Sequence, residues 1–192
     1  MGYSISGRNQ NLEKSKLLKH PRRLMVFADL DQEEAGDVIE KLLNFDNQEK
    51  KDILIFLNSC GGDSSAFRAL VDVMSGVDSR VGVLVLGEAS SGAALVLAAG
   101  EKSMRFVSSS ASIHLHETTQ NLGDEWHTSE YIASEAEDTL RVNKYHNKML
   151  AKFTGQTAEI VTKWRREGKV LSAKDAVKYG FADHIINFID LD

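Results

Sequence analysis

Two rhythms of apolar residues run through the chain. Short aliphatic runs read as strands: Arg23–Ala28 (RLMVFA), Asp52–Leu57 and Val81–Leu86. Between them, apolar positions recur at helical spacing. After Asp31 as a cap, Gln32–Leu43 keeps Ala35, Val38, Ile39 and Leu42 on one face. Asp63 or Ser64 caps a second helix running to Gly76. Met104–Val107 and Ser112–Leu115 read as strands around the triple serine Ser108–Ser110, and residues 117–127 as a polar loop. Thr128–Phe153 holds neither proline nor glycine and reads as one helix, with Tyr131, Ile132, Leu140, Tyr145, Met149 and Leu150 as its apolar positions. At about 1.5 Å per residue it spans roughly 35–40 Å, long enough that part of it should protrude or pack on another subunit. Thr157 opens a helix to Arg166, and Gly168–Leu171 is extended. Ser172 with Asp175 forms a capping box for a helix ending at Gly180, and Phe181–Phe188 is a last strand. This alternation predicts an α/β fold with a substantially parallel sheet. No repeat or low-complexity tract interrupts it.

The stretch that organises the rest is Val81–Gly100, VGVLVLGEASSGAALVLAAG. Its first half has strand composition and its second half helix composition. At the joint stand Ala89-Ser90-Ser91-Gly92, so a hydroxyl is presented where a helix begins. A helix N-terminus offers unpaired N–H groups and the positive end of a dipole, which suit a nucleophile and a developing oxyanion. A buried strand–helix unit with small residues for close packing would show the same pattern, and this stretch alone does not separate the two.

Composition narrows the function classes. The chain has 192 residues, 42% hydrophobic and 27% charged, which fits one soluble domain with a short appendage. A net charge of -5 argues against nucleic acid as a partner, and the basic cluster Lys19–Arg23 is too short to alter that. No apolar run reaches the length of a membrane span, and the opening MGYSISGRNQ lacks an apolar signal core. Met1-Gly2 with Ser6 matches a myristoylation pattern that nothing else in the tract supports. Cys60 stands alone, which excludes an internal disulfide and suits a reducing cytoplasm.

Several segments together resemble the ClpP family, the serine peptidase subunit of the Clp proteases. Ile53–Gly62 (ILIFLNSCGG) is similar to the family's strand followed by Asn-Ser-Pro-Gly-Gly. Gly87–Gly100 is similar to its nucleophile turn and helix, and Arg105–His116 to the stretch that carries its base. Phe153–Thr157 (FTGQT) and Leu171–Ile186 follow at the family's interval. The resemblance covers roughly Leu12 to Asn187. It implies a crotonase-like spiral of ββα units, with residues 1–20 as an N-terminal arm at the axial gate and 21–192 as the peptidase domain. It further implies heptameric rings, stacked in pairs through the long helix, that enclose a chamber. Unfolded polypeptide would be the substrate, fed in by an ATP-dependent AAA+ unfoldase, with a ClpP paralogue as another partner. No cofactor or metal is implied.

Carried over residue by residue, the nucleophile falls on Ser91 and the base on His116. His114 shares the strand face of His116 by alternation and is the fallback. The oxyanion-hole amides fall on Gly62 and Gly92, the latter standing where the family has methionine. The triad aspartate falls on Gly168, and glycine cannot orient an imidazole. Glu167 is the nearest stand-in acid, with Glu117 and Asp63 behind it. Three outcomes stay open: a Ser-His dyad, a triad with a relocated acid, or a site too weak to matter. The last would make the chain a regulatory ring subunit. Cys60 replaces the family's proline and reads as a buried turn residue rather than a second nucleophile. Glu167 also replaces an arginine used in ring–ring contacts. A crotonase-type acyl-CoA enzyme or a Ser-Lys membrane peptidase fits less well, because the serine is paired with a histidine.

Overall fold

The computed structural model describes residues 14–189, so most of the N-terminal arm, residues 1–13, lies outside the described residues; 14–18 are helical. From there the chain runs β1 (Arg23–Val26), α1 (Gln32–Gln48), β2 (Ile53–Ser59), α2 (Ser64–Gly76), β3 (Val81–Ser90) and α3 (Gly92–Ala99). It continues as β4 (Arg105–Ser108), β5 (Ser112–His114), α4 (Ser129–Thr154), α5 (Ala158–Arg166), β6 (Val170–Ser172), α6 (Ala173–Lys178) and β7 (His184–Ile186).

The caps explain the helix starts. Asp31 accepts from the Glu34 amide while the Glu34 carboxylate bonds back to the Asp31 amide. Asp63 receives the amides of Ser65 and Ala66, and Ser172 with Asp175 closes the expected capping box. Helix α1 runs to Gln48, five residues past the expected end at Leu43. Its extra turn is held by Asp46, which is buried and accepts from the Ser79 amide at 2.8 Å and from Lys50 at 2.6 Å. Periodicity of apolar residues could not register a helix continued by a buried carboxylate.

The sheet runs in the order β1-β2-β3-β4-β7, all parallel. Strand β3 is shared by two layers. Its first half pairs with β4 and its second half with β5, which alone pairs antiparallel, with β6. One strand serving two successive turns of chain in this way is what makes the fold a spiral. The main core lies between this sheet and helices α1, α2 and α3, with Phe67, Leu42, Leu57 and Leu97 fully buried. Helix α3 is enclosed along almost its whole length. The opposite sheet face carries a smaller cluster of Leu17, Leu54, Phe56, Leu84, Phe106 and Ile186. Arg105 is buried and locks β4 to the turn before β7 through a bidentate pair with Asp183 and a 2.8 Å bond to the Gly180 carbonyl.

Helix α4 has the expected length, 26 residues, with Thr128 as cap. Its apolar positions fall differently. Tyr131, Ile132, Leu140 and Tyr145 are exposed, and no residue of 129–142 is buried. The face turned to the core belongs to the second half and is largely polar: Asn143, His146, Asn147 and Leu150.

Candidate active site

Ser91 is the single residue between β3 and α3. It adopts φ +55°, ψ −119°, a conformation sparsely populated by side-chain-bearing residues and worth on the order of 1–3 kcal/mol of strain. The expected turn over Ala89–Gly92 is therefore tighter than read: strand geometry persists through Ser90, and the whole reversal is placed on Ser91. Ser90 is buried, whereas Ser91 is partly open and its hydroxyl has no hydrogen-bond partner among the described residues. Its amide donates to the His114 carbonyl at 2.9 Å, which fastens the joint to β5.

The glycine turn after β2 is brought against this serine by a register shift. Leu57 pairs with Val85 but Ser59 pairs with Ala89, so β3 carries extra length at the bulge. The Asn58 side chain fills the gap and accepts from the Glu88 amide at 3.1 Å. Beyond it, the Leu30 amide donates to the Gly61 carbonyl and the Asp63 amide to the Leu30 carbonyl, both at 2.8 Å. Those two bonds use the Leu30 side of the turn, so the Gly62 N–H points to the other edge, where β3 ends. Among the described residues neither the Gly62 nor the Gly92 N–H has a partner. Two glycine amides near the serine turn are thus left without an acceptor.

His116 follows β5, and its Nδ1 lies 2.7 Å from the carbonyl of Glu117. A carbonyl only accepts, so Nδ1 carries the proton and Nε2 is left with a free lone pair. The Ser91 hydroxyl and the His116 ring share no hydrogen bond in this state. His114 is turned to Ser112, 3.0 Å from Nε2 to Oγ, on its own strand.

Among the described residues no carboxylate hydrogen-bonds the His116 ring, whose one bond is to a carbonyl. The β5–β6 register pairs Ser112 with Ser172 and His114 with Val170, and continues in the Leu115 amide to Lys169 carbonyl bond at 2.8 Å. Gly168 lies just before this ladder, not in extended chain as expected but in the turn that ends α5, at φ +63° with its amide donating to the Arg165 carbonyl. The carboxylate of Glu167 is directed to Lys163 at 3.8 Å and makes no hydrogen bond with His116. Glu117 pairs with Arg166 at 3.4 Å, and Asp63 is engaged as the cap of α2. What holds the His116 segment is Arg165, buried on α5. It donates to the His116 carbonyl at 3.0 Å, to the Asn143 and Asn147 side-chain oxygens at 2.9 and 2.6 Å, and to the Asn143 carbonyl at 3.2 Å. Burial pulls its guanidinium down to about 10, against the opposing charge of Glu117, so it stays cationic at neutral pH. Sequence reading passed over this residue, which lies in the basic run Lys163–Arg166. Asn143 and Asn147, spaced i, i+4 on a helix with few core-facing apolar residues, were the available signal.

Gly92 owes its identity to packing. A Cβ there would stand 2.3 Å from the Phe67 ring, which fills the space beside the serine turn. Cys60 is exposed rather than buried, and its thiol donates to Asp29 at 2.7 Å. That bond and burial push the thiol up, away from thiolate. Among the described residues no cluster of three or more His, Cys, Asp or Glu side chains is arranged to hold a metal.

Comparison with known proteins gives a consistent set. A sequence model described as Clp protease matches residues 6–188. The ATP-dependent Clp protease proteolytic subunit of Ligilactobacillus salivarius is 36% identical over 173 residues, 90% of this chain and 86% of that protein. Proteolytic subunit 3 of Frankia casuarinae is 33% identical over 174 residues, 90% and 79% of the two chains. The Streptococcus mutans proteolytic subunit is 33% identical over 173 residues, 90% and 87%.

Proposed function

The chain belongs to the Clp protease family, and from that membership we propose that Ser91 is its nucleophile, His116 its general base, and the Gly62 and Gly92 amides its oxyanion hole. The protein is a ClpP-like serine endopeptidase. The observation that supports the residue assignment is Ser91 itself: a strained, partly open serine with an unpartnered hydroxyl, packed against the Gly61-Gly62 turn and followed by a glycine whose N–H no acceptor among the described residues uses.

In the reaction, His116 Nε2 takes the Ser91 proton as Oγ attacks the peptide carbonyl, and the new oxyanion draws the two amides. The imidazolium then returns its proton to the leaving amine, and water repeats the cycle on the acyl-enzyme. His116 must reach Ser91 for this to begin. Catalytic hydrogen bonds that are loose in the free enzyme often tighten only around substrate.

The relatives are named as proteolytic subunits of ATP-dependent proteases. By that likeness the chain assembles with itself and works with a Clp-type ATPase. Heptameric rings stacked through α4, an AAA+ unfoldase and unfolded polypeptide substrates in a reducing cytoplasm are the finer form of this proposal. The exposed Tyr131, Ile132, Leu140 and Tyr145 support a covered α4. No helix among the described residues is long and apolar enough to cross a membrane.

The test is a fluorophosphonate probe on the purified protein. Labelling at Ser91, lost in Ser91→Ala and in His116→Ala, supports the assignment. Absence of labelling overturns it and favours a regulatory ring subunit, for which the missing carboxylate at Gly168 would be the reason.

A further inference from the structure

We propose that Asn143 and Arg165 are positioning residues for His116 that take over the orienting task of the missing aspartate, acting through the peptide group between Glu117 and Thr118. The inference rests on the reading of His116 as general base.

The argument begins with one peptide plane. The Glu117 carbonyl and the Thr118 N–H belong to the same planar unit and point in opposite directions. The carbonyl receives the Nδ1 proton of His116 at 2.7 Å, and the N–H donates to Asn143 Oδ1 at 2.8 Å. Fixing either end fixes the other. Asn143 therefore sets the direction of the acceptor that selects the tautomer of His116.

Asn143 is in turn oriented from behind. Its Oδ1 also accepts from Arg165 Nη2 at 2.9 Å, so the oxygen, not the amide nitrogen, faces Thr118. The same guanidinium holds the His116 carbonyl at 3.0 Å and is braced on Asn147 Oδ1 at 2.6 Å. Asn147 is itself tied to Thr162 on α5 at 2.9 Å. Asn143, Asn147 and Arg165 are all more than nine-tenths buried, so these bonds do not compete with bulk water. Both sides of the Glu117 residue are thereby clamped, one at the preceding carbonyl and one at the following N–H.

The arrangement is purposeful in its charge balance. Arg165 has no carboxylate partner within hydrogen-bond reach among the described residues, and its donors go to neutral oxygens. A buried cation of this kind is costly, and four neutral acceptors only partly offset that cost. Helix-to-helix adhesion would be served at lower cost by apolar side chains. What the cation adds is a rigid, polarised line ending on Nδ1: Arg165, Asn143, the peptide, His116. A carbonyl acceptor fixes tautomer and ring orientation but carries no full negative charge. The device therefore supplies the geometric half of an aspartate's role and omits the electrostatic half.

Three measurements test this. The first uses the unaltered protein: ring 15N shifts of labelled histidine, with His116 identified by its loss in His116→Gln, are expected to show Nδ1–H and a bare Nε2 at neutral pH. An Nε2–H tautomer overturns the proposal without any variant having to fold. The second is kinetic. Asn143→Ala is expected to lower kcat by roughly 10–100-fold, as loss of a group that orients a catalytic histidine does, with KM nearly constant. Asn143→Asp keeps the acceptor for Thr118 and is expected to recover most of that loss. A change in KM alone, or equal losses in both variants, overturns the proposal. The third adds Gly168→Asp: with a carboxylate at the position the family resemblance gives to the acid, Asn143→Ala should cost only about threefold, a strong departure from additivity. Equal costs in the two backgrounds overturn it. Failure of the underlying reading is distinct, because probe labelling of Ser91 would then survive His116→Ala.

Discussion

Gly61 lies against Ser91 so closely that a Cβ on the glycine would stand 2.9 Å from the Cβ of the serine, and Gly61 itself sits at φ +123°. The turn proposed to carry one oxyanion donor is therefore packed directly on the proposed nucleophile. Gly61→Ala combines a left-handed backbone with a clash against the reacting residue. It is expected to lower peptidase activity by about 10²-fold, the scale of losing one oxyanion donor. Probe labelling of Ser91 should fall in step, with a thermal midpoint shift of only a few degrees.

Gly168 has room for a side chain. A Cβ there meets nothing within 4 Å, although φ is +63°, a region aspartate tolerates better than most residues. Gly168→Asp is expected to raise kcat by about tenfold. Full loss of a triad aspartate costs about 10⁴, largely through the wrong tautomer. Here the Glu117 carbonyl already selects the tautomer, so the carboxylate adds only charge stabilisation of the imidazolium. Steady-state hydrolysis of a short fluorogenic peptide reads this directly. A gain near 10⁴ would show that the carbonyl does not orient the ring.

Phe67 and Gly92 occupy one volume. Gly92→Met is expected to destabilise the protein by roughly 2–4 kcal/mol through overpacking and the displacement it forces on a tightly enclosed ring. Phe67→Ala alone should cost about 3–5 kcal/mol as a cavity. The double variant should be more stable than the sum of the two losses allows, because the methionine fills the space the ring vacates. Chemical denaturation of the three proteins forms the cycle.

His146 is buried on α4 with Nε2 unpartnered, and burial, then the nearby Arg165 and Arg68 charges, pull its ring down to about 4. Since the unfolded ring titrates near 6.5, the unfolded chain binds the extra proton between about pH 6.5 and 4. Stability from this group is fully present above the upper value and is lost as pH falls through that window, by up to roughly 3 kcal/mol. His146→Leu is expected to flatten the acid limb of a denaturation midpoint plotted against pH, leaving the neutral value little changed. An unaltered limb would assign the acid sensitivity to other groups.

The residues offered for the site came before any coordinates. Ser91, His116, Gly62 and Gly92 followed from the resemblance to the family's motifs, and the structure packs the Gly61-Gly62 turn against Ser91. The expectation that Gly168 stands at the family's acid position rests on the same resemblance. The hydrogen bonds that hold His116 were not legible. The Glu117 carbonyl is a backbone atom with no signature in residue type, and Arg165 looks like any surface cation in an amphipathic helix. Helix α4 shows the same limit. Its length followed from the absence of proline and glycine, but which face turned inward did not, because its buried row is Asn143, His146, Asn147 and Leu150 rather than an apolar stripe.

By itself the amino-acid order determined the alternation of strands and helices, their caps, and the residue types offered for acyl transfer, because these depend on backbone preferences and contacts a few residues apart. Only the tertiary structure decided that Ser91 alone carries the strained turn, that the glycine turn after β2 lies against it, and that a buried cation on α5 bonds the His116 carbonyl beyond β5. The last two are relations between segments about 30 to 50 residues apart, set by strand register and by which buried polar groups find partners, and neither quantity is written in any local stretch of the chain.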